Sequence, residues 1–185
     1  MFNKVKKIVL TPNFMTMSRV AAVPAIVIFL MYESRTTTFI AAVLFAIASI
    51  TDYLDGYLAR TMGMTSELGK IMDPLADKLL VSSSLIMLVS LDYIQAWIVC
   101  VIIGRELIVT GLRCVLREHG EDVAASWLGK YKTGFQIAAI IPLTMHYNYI
   151  GINFNSIGQF FLYGALLFTI WSGLEYSIKV KKILF

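Results

Sequence analysis

The chain has 185 residues, 58% hydrophobic and 15% charged, with a formal net charge of +4 and a mean hydropathy of +0.73. Soluble domains average about 45–50% apolar and about 25% charged, so a soluble globular enzyme is nearly excluded, as is a disordered chain, which needs low hydrophobicity and high charge. At about 20 apolar residues per membrane crossing, this length holds six or seven helices of a single domain, 1–185, with no large soluble domain beside them.

Residues 2–10 read as a short amphipathic helix at the membrane surface, with Phe2, Val5, Ile8 and Val9 opposite Asn3, Lys4, Lys6 and Lys7. Pro12 and Asn13 end it, and the absence of a small-residue cleavage site argues against a cleavable signal peptide. Spans are expected at 15–32, 38–62, 71–91, 96–117, 131–148 and 157–178. The second turns polar in its final third. Residues 63–70, which contain Gly and Ser, read as a loop, 92–95 as a turn and 118–130 as a polar connection. The segment from Asn148 to Ser156 has turn chemistry, and a Lys-rich tail closes the chain. Cys100 and Cys114 are too far apart along one helix to pair and read as small core residues. The fold class is therefore all-α: a polytopic membrane protein of six transmembrane helices plus an interfacial N-terminal helix.

Orientation follows from the cations. With six spans, only Arg35 of the sixteen Lys and Arg residues falls on the side away from the termini. The positive-inside rule then places both termini in the cytoplasm. An odd number of spans would scramble that bias.

Ionisable groups inside spans are costly and by default mark function. Asp52 and Asp55 sit at i,i+3 near the end of the second span, and Asp73 and Asp77 at i,i+4 at the start of the third. Each spacing puts two carboxylates on one helix face. The two spans run in opposite directions, so both pairs are expected at one depth, on the cytoplasmic side. Four such anions need compensation by protonation, by Arg or Lys, or by metal. Oxygen-only ligands favour two hard divalent cations, Mg2+ or Mn2+, and two-metal sites commonly serve phosphoryl transfer. Gly56, Ala59 and Arg60 share the side of Asp52, which lets a ligand approach the backbone and supplies a fixed cation. Gly69, in the expected loop, permits close approach as well. Lys78 reads as an interfacial anchor or a counter-charge. A transporter with a carboxylate-lined path is the non-enzyme alternative, but it needs polar residues along the whole crossing, and here the acids cluster at one end.

The run Asp52, Asp55, Gly56, Ala59, Arg60, Gly69, Asp73 and Asp77, at these spacings, resembles the signature of the CDP-alcohol phosphotransferase family. The resemblance implies six transmembrane helices, a homodimer, a di-metal site and transfer of a phosphatidyl group from CDP-diacylglycerol to an alcohol with release of CMP. It implies Asp52, Asp55 and Asp73 as metal ligands and Asp77 as both ligand and general base. It also implies that Gly56, Ala59, Arg60 and Gly69, with Asp52, Asp55 and Asp73, contact the cytidine diphosphate.

The acceptor is read from other residues. Arg105 and Arg113 share a side of the fourth span, and Lys130 and Lys132 follow in the next connection. Such a cluster suits a phosphate-bearing acceptor, although basic residues at a helix end also simply anchor to headgroups. The segments Arg105-Glu106-Leu107, Gly111-Leu112-Arg113 and Ala125 to Thr133 resemble the branch of the family whose acceptor is sn-glycerol 3-phosphate. So does the opening Leu10 to Val20, with Thr11 and Met15 as minor departures. Cardiolipin synthase or phosphatidylinositol phosphate synthase chemistry is the alternative within the family. Membrane lipids are expected partners and nucleic acid is not.

Overall fold

The computed structural model describes residues 12–62, 67–118, 127–149 and 151–184. Among them, six helices carry the chain: α1 (Pro12–Met31), α2 (Arg35–Met62), α3 (Glu67–Ser90), α4 (Ala96–Glu118), α5 (Trp127–Met145) and α6 (Phe154–Leu184). Two short antiparallel strands, β1 (Asn148–Tyr149) and β2 (Ile152–Asn153), connect α5 to α6. The surface helix expected over 2–10 lies outside the described residues.

Three of the differences from the expected boundaries move charged or glycine residues into helix. Helix α3 begins at Glu67, so Gly69 lies in its first turn and not in a loop. One glycine costs a helix only about 1 kcal/mol, and Glu67 suits the positive end of the helix dipole. Helix α5 begins at Trp127, which puts Lys130 in a helical turn instead of a connection. Helix α6 continues through the Lys-rich tail to Leu184, because no Gly or Pro there stops it and lysine is a good helix former.

Local chemistry sets the helix starts at one end of the bundle. The Ser34 Oγ accepts from the Thr37 amide at 3.2 Å, and the Thr37 Oγ1 accepts from the Ser34 amide at 3.2 Å, a reciprocal cap for α2. Asn153 Oδ1 accepts from the Ser156 amide at 3.1 Å and caps α6. Gly151, at φ 76°, supplies the left-handed conformation that the tight β1–β2 turn requires. Arg35 donates to the Asn148 carbonyl at 2.8 Å and stacks over the Tyr149 ring at 4.6 Å, pinning the hairpin to the start of α2.

The hydrophobic core occupies this same end. Phe45 of α2, Leu80, Leu85 and Leu88 of α3, Ile98 and Ile102 of α4, Ile140 and Leu143 of α5 and Leu162 of α6 are fully or almost fully buried together. Along α3, α4 and α5 the core residues give way to polar ones at the other end: Asp77 and Lys78, Arg105 to Arg113, and Lys130 to Gln136. The fold thus separates an apolar half from a polar half along the helix axes.

Outside, the bundle is apolar. Ile47, Ile50, Ile86, Leu107, Ile108, Phe160, Leu167, Trp171 and Leu174 are all exposed, an exterior suited to lipid and far beyond the scattered apolar residues of a soluble surface. By length and composition the segment Phe154–Ile178 of α6 can cross a membrane, while the apolar stretches Met17–Met31 and Arg35–Thr51 are shorter.

Helices α5 and α6 pack most closely. A Cβ added at Gly158 would lie 2.5 Å from the Leu143 Cγ and 2.9 Å from its backbone nitrogen. Glycine at this position therefore sets the interhelical distance. Gly158→Ala is expected to destabilise the protein by about 1–3 kcal/mol through overpacking, read as a lowered thermal midpoint in detergent. Gly111→Ala, where an added Cβ meets nothing within 4 Å, is expected not to lower it.

Candidate active site

At the polar end, α2, α3, α4 and α5 enclose a cavity of about 550 Å³. Asp77 and Lys78 of α3, Arg105, Glu106, Thr110 and Arg113 of α4, and Lys130, Lys132 and Thr133 of α5 line it, with Ser49 of α2. The periodicity of α4 explains why its cations meet here: Arg105, Val109 and Arg113 recur every four residues and face one way. Asp77 and all four cations expected at an acceptor site, Arg105, Arg113, Lys130 and Lys132, come together in this one cavity.

Each charge has a defined partner. Lys132, 3% exposed, forms an ion pair with Glu106 Oε1. Arg105 Nη1 approaches the same oxygen at 3.7 Å, and its Nη2 donates to Ser172 Oγ of α6 at 2.9 Å. The Arg113 guanidinium lies over the Tyr176 ring at 5.4 Å, and Tyr176 packs with Val109 and Leu116. Lys130 is exposed and sits over the Trp127 ring at 4.5 Å. Lys78 donates to Thr110 Oγ1, which in turn donates to the Glu106 carbonyl at 2.6 Å. Lys78 thus lies on the cavity wall, tied to α4 through Thr110.

Lys78, Arg105, Arg113, Lys130 and Lys132 face Asp77 and Glu106. The wall is net cationic and suits an anionic ligand of the size of a phosphate ester. A smaller space of about 50 Å³ continues behind Asp77, Glu106 and Gln136. On the exterior, an apolar groove of about 410 Å³ lined by Trp127, Tyr131, Phe135, Ala138 and Phe161 shares Lys130 and Gly134 with the cavity.

The remaining carboxylates are placed by backbone only. Helix α2 is continuous through Asp52 and Asp55, and α3 through Asp73 and Asp77. Each pair lies within about 15 Å of helix rise from residues 63–66. The side chains of Asp52, Asp55, Gly56, Ala59, Arg60, Gly69 and Asp73 lie outside those described. Among the described residues no group of three metal-binding side chains occurs. The donor set itself, oxygen-only and one helix turn apart on each of two adjoining helices, fits a hard divalent cation.

Sequence reasoning passed over Glu106, which here joins two of the cations. Its signal was present: an acid in the middle of an otherwise apolar helix, next to an arginine. The partners on α6, Ser172 and Tyr176, carried no such signal, because only tertiary packing brings α6 against α4.

The family model described as CDP-alcohol phosphatidyltransferase matches residues 9–171. Among curated relatives, a protein of Bacillus subtilis (strain 168) is 44% identical, the match covering 91% of this chain and 93% of the relative. A protein of Haemophilus influenzae is 38% identical, covering 92% of each. One of Escherichia coli (strain K12) is 35% identical, covering 89% and 91%. All three carry the name CDP-diacylglycerol–glycerol-3-phosphate 3-phosphatidyltransferase.

Removing one member of a buried ion pair leaves the other uncompensated, at a cost of about 3–5 kcal/mol. Lys132→Met is therefore expected to lower the denaturation midpoint clearly. The double variant Lys132→Met, Glu106→Gln is expected to recover part of the loss, which a double-mutant cycle by thermal melting in detergent measures.

Proposed function

The chain belongs to the CDP-alcohol phosphatidyltransferase family and is a membrane-associated transferase, and we propose that it transfers the phosphatidyl group of CDP-diacylglycerol to sn-glycerol 3-phosphate. The products are phosphatidylglycerol phosphate and CMP. The observation that carries this reading is the convergence of Asp77 with Arg105, Arg113, Lys130 and Lys132 on one cavity. A base and a phosphate cradle on the same wall are what an acceptor with a hydroxyl at one end and a phosphate at the other requires. The names of the relatives support the same pair of substrates.

Asp52, Asp55, Asp73 and Asp77 would hold two divalent cations, Mg2+ or Mn2+, whose charge neutralises the diphosphate and the departing CMP. Gly56, Ala59, Arg60 and Gly69 contact the cytidine diphosphate on this reading. Arg105, Arg113, Lys130 and Lys132 hold the acceptor phosphate through charge-assisted hydrogen bonds. Asp77 takes the proton of the acceptor's C1 hydroxyl as that oxygen attacks the lipid-side phosphorus. The new P–O bond forms while the bond to the CMP oxygen breaks. The groove beside Trp127 and Phe135 gives the apolar part of the lipid a path along the bundle while the headgroup enters the cavity. We place the chain in the cell membrane with six spans, as a homodimer, with both termini and the cavity on the cytoplasmic side. The cation distribution and the apolar exterior support that topology.

Purified protein in mixed micelles with Mg2+ or Mn2+ and CDP-diacylglycerol is expected to release CMP with sn-glycerol 3-phosphate, and not with phosphatidylglycerol or inositol phosphate. Release with either of the latter alone would reassign the acceptor. Chelation with EDTA is expected to abolish turnover, and added Mg2+ or Mn2+ to restore it.

Asp77→Asn is expected to lower kcat by at least about 100-fold, the scale of a lost general base, with the thermal midpoint preserved. Arg113→Ala is expected to raise the KM for sn-glycerol 3-phosphate about tenfold or more, as for a lost hydrogen bond to a charged group, with the KM for CDP-diacylglycerol little changed. A folded, metal-loaded and fully active Asp77→Asn protein would overturn the base assignment.

A further inference from the structure

Resting on the acceptor reading above, we propose that Glu106 is a specificity-determining residue that accepts a hydrogen bond from the acceptor's non-reacting hydroxyl. It makes the cavity selective for a phosphorylated polyol over a phosphorylated alcohol that lacks this group. One oxygen of Glu106 offsets the charge of buried Lys132, but a cavity that only holds a phosphate gains nothing from a second carboxylate oxygen, because like charges repel at close range. Glu106 nevertheless stands on the wall among the cations, in contact with both the main cavity and the smaller space behind it.

The ion pairs of Glu106 use one oxygen of its carboxylate. The approaches of Lys132 and Arg105 both fall on Oε1, so neither of these two ion pairs uses Oε2. Its side chain is 19% exposed, enough to reach a ligand in the cavity. An ionised carboxylate is an acceptor only, so an uncharged ligand group that satisfies it must be a donor such as a hydroxyl.

The three chemistries on the wall match the three functional groups of a glycerol phosphate. On this reading Asp77 faces the hydroxyl that reacts, the arginines and lysines face the phosphate, and Glu106, the other carboxylate among the described lining residues, faces the hydroxyl between them. A site built to hydrogen-bond a hydroxyl discriminates strongly against an analogue lacking it.

The test compares two acceptors, sn-glycerol 3-phosphate and 3-hydroxypropyl phosphate, which keeps the phosphate and a terminal hydroxyl but lacks the middle one. CMP release from CDP-diacylglycerol is measured with the full chain in mixed micelles, and the readout is the ratio of the two kcat/KM values. Wild type is expected to favour sn-glycerol 3-phosphate about tenfold or more, the scale of a hydrogen bond to a charged group. Glu106→Ala is expected to bring the ratio close to one. The double variant Glu106→Leu, Lys132→Leu, which leaves no lysine unpaired, is expected to do the same even where its overall activity falls.

A purely structural role, felt through Lys132 and the phosphate, lowers both acceptors equally and leaves the ratio at its wild-type value. That result overturns the proposal, as does a wild-type ratio already near one. Wild-type turnover with sn-glycerol 3-phosphate tests the functional reading separately. If it is present while the ratio does not respond to Glu106, only the proposal fails; if it is absent, the functional reading fails and the proposal with it.

Discussion

A charge held among helices with an apolar exterior persists only beside its complement, and the Glu106–Lys132 pair is where this protein meets that constraint. Lys132 is among the most buried polar side chains in the bundle. Through Glu106 it is tied to Arg105, and through Arg105 to Ser172. One network thus joins α5, α4 and α6 at the polar end. The bundle concentrates its ionic groups there and fills the other end with Phe45, Leu85, Leu88, Ile140 and Leu143. The cavity exists because these two halves are not interchangeable.

On the proposed reading, that division also lets the bundle handle a substrate with two natures. The apolar exterior and the groove beside Trp127 suit an acyl-bearing molecule. The cationic wall suits a water-soluble phosphate. On the proposed reading the two meet at Asp77, at the boundary between the apolar and polar halves of α3. Lys78, one residue on, bonds to Thr110 and keeps α3 and α4 in register at that level.

Much of this was legible in the sequence, for a physical reason: charge inside apolar helices is rare enough to be informative. The spacing of Asp73 and Asp77, and of Arg105 and Arg113, required only helical periodicity to be placed on common faces. Asp77 and these cations line one cavity. Helix boundaries were less legible. Gly69 read as loop because glycine disfavours a helix, yet one glycine does not outweigh the rest of a long helix. Lys130 read as connection because the polar stretch before it ran on without a visible break. The roles of Lys78 and Glu106 depended on which neighbour lay across the cavity, and Ser172 and Tyr176 depended on α6 folding back onto α4. No local pattern encodes that packing. The proposed six spans rest on the same charge pattern, and among the described residues Phe154–Ile178 is the segment whose length and composition match a crossing outright.

On the proposed reading, carboxylates that would hold divalent metal and cations that hold an acceptor phosphate share one cavity. The most direct measurement is a crystal structure of the protein with Mn2+ and sn-glycerol 3-phosphate, read by anomalous scattering at the manganese edge. Two manganese peaks are expected at the carboxylates of Asp52, Asp55, Asp73 and Asp77, with phosphate density within hydrogen-bond distance of Arg105, Arg113 and Lys132. Manganese bound away from Asp77, or a phosphate seated outside the cavity, would contradict that reading.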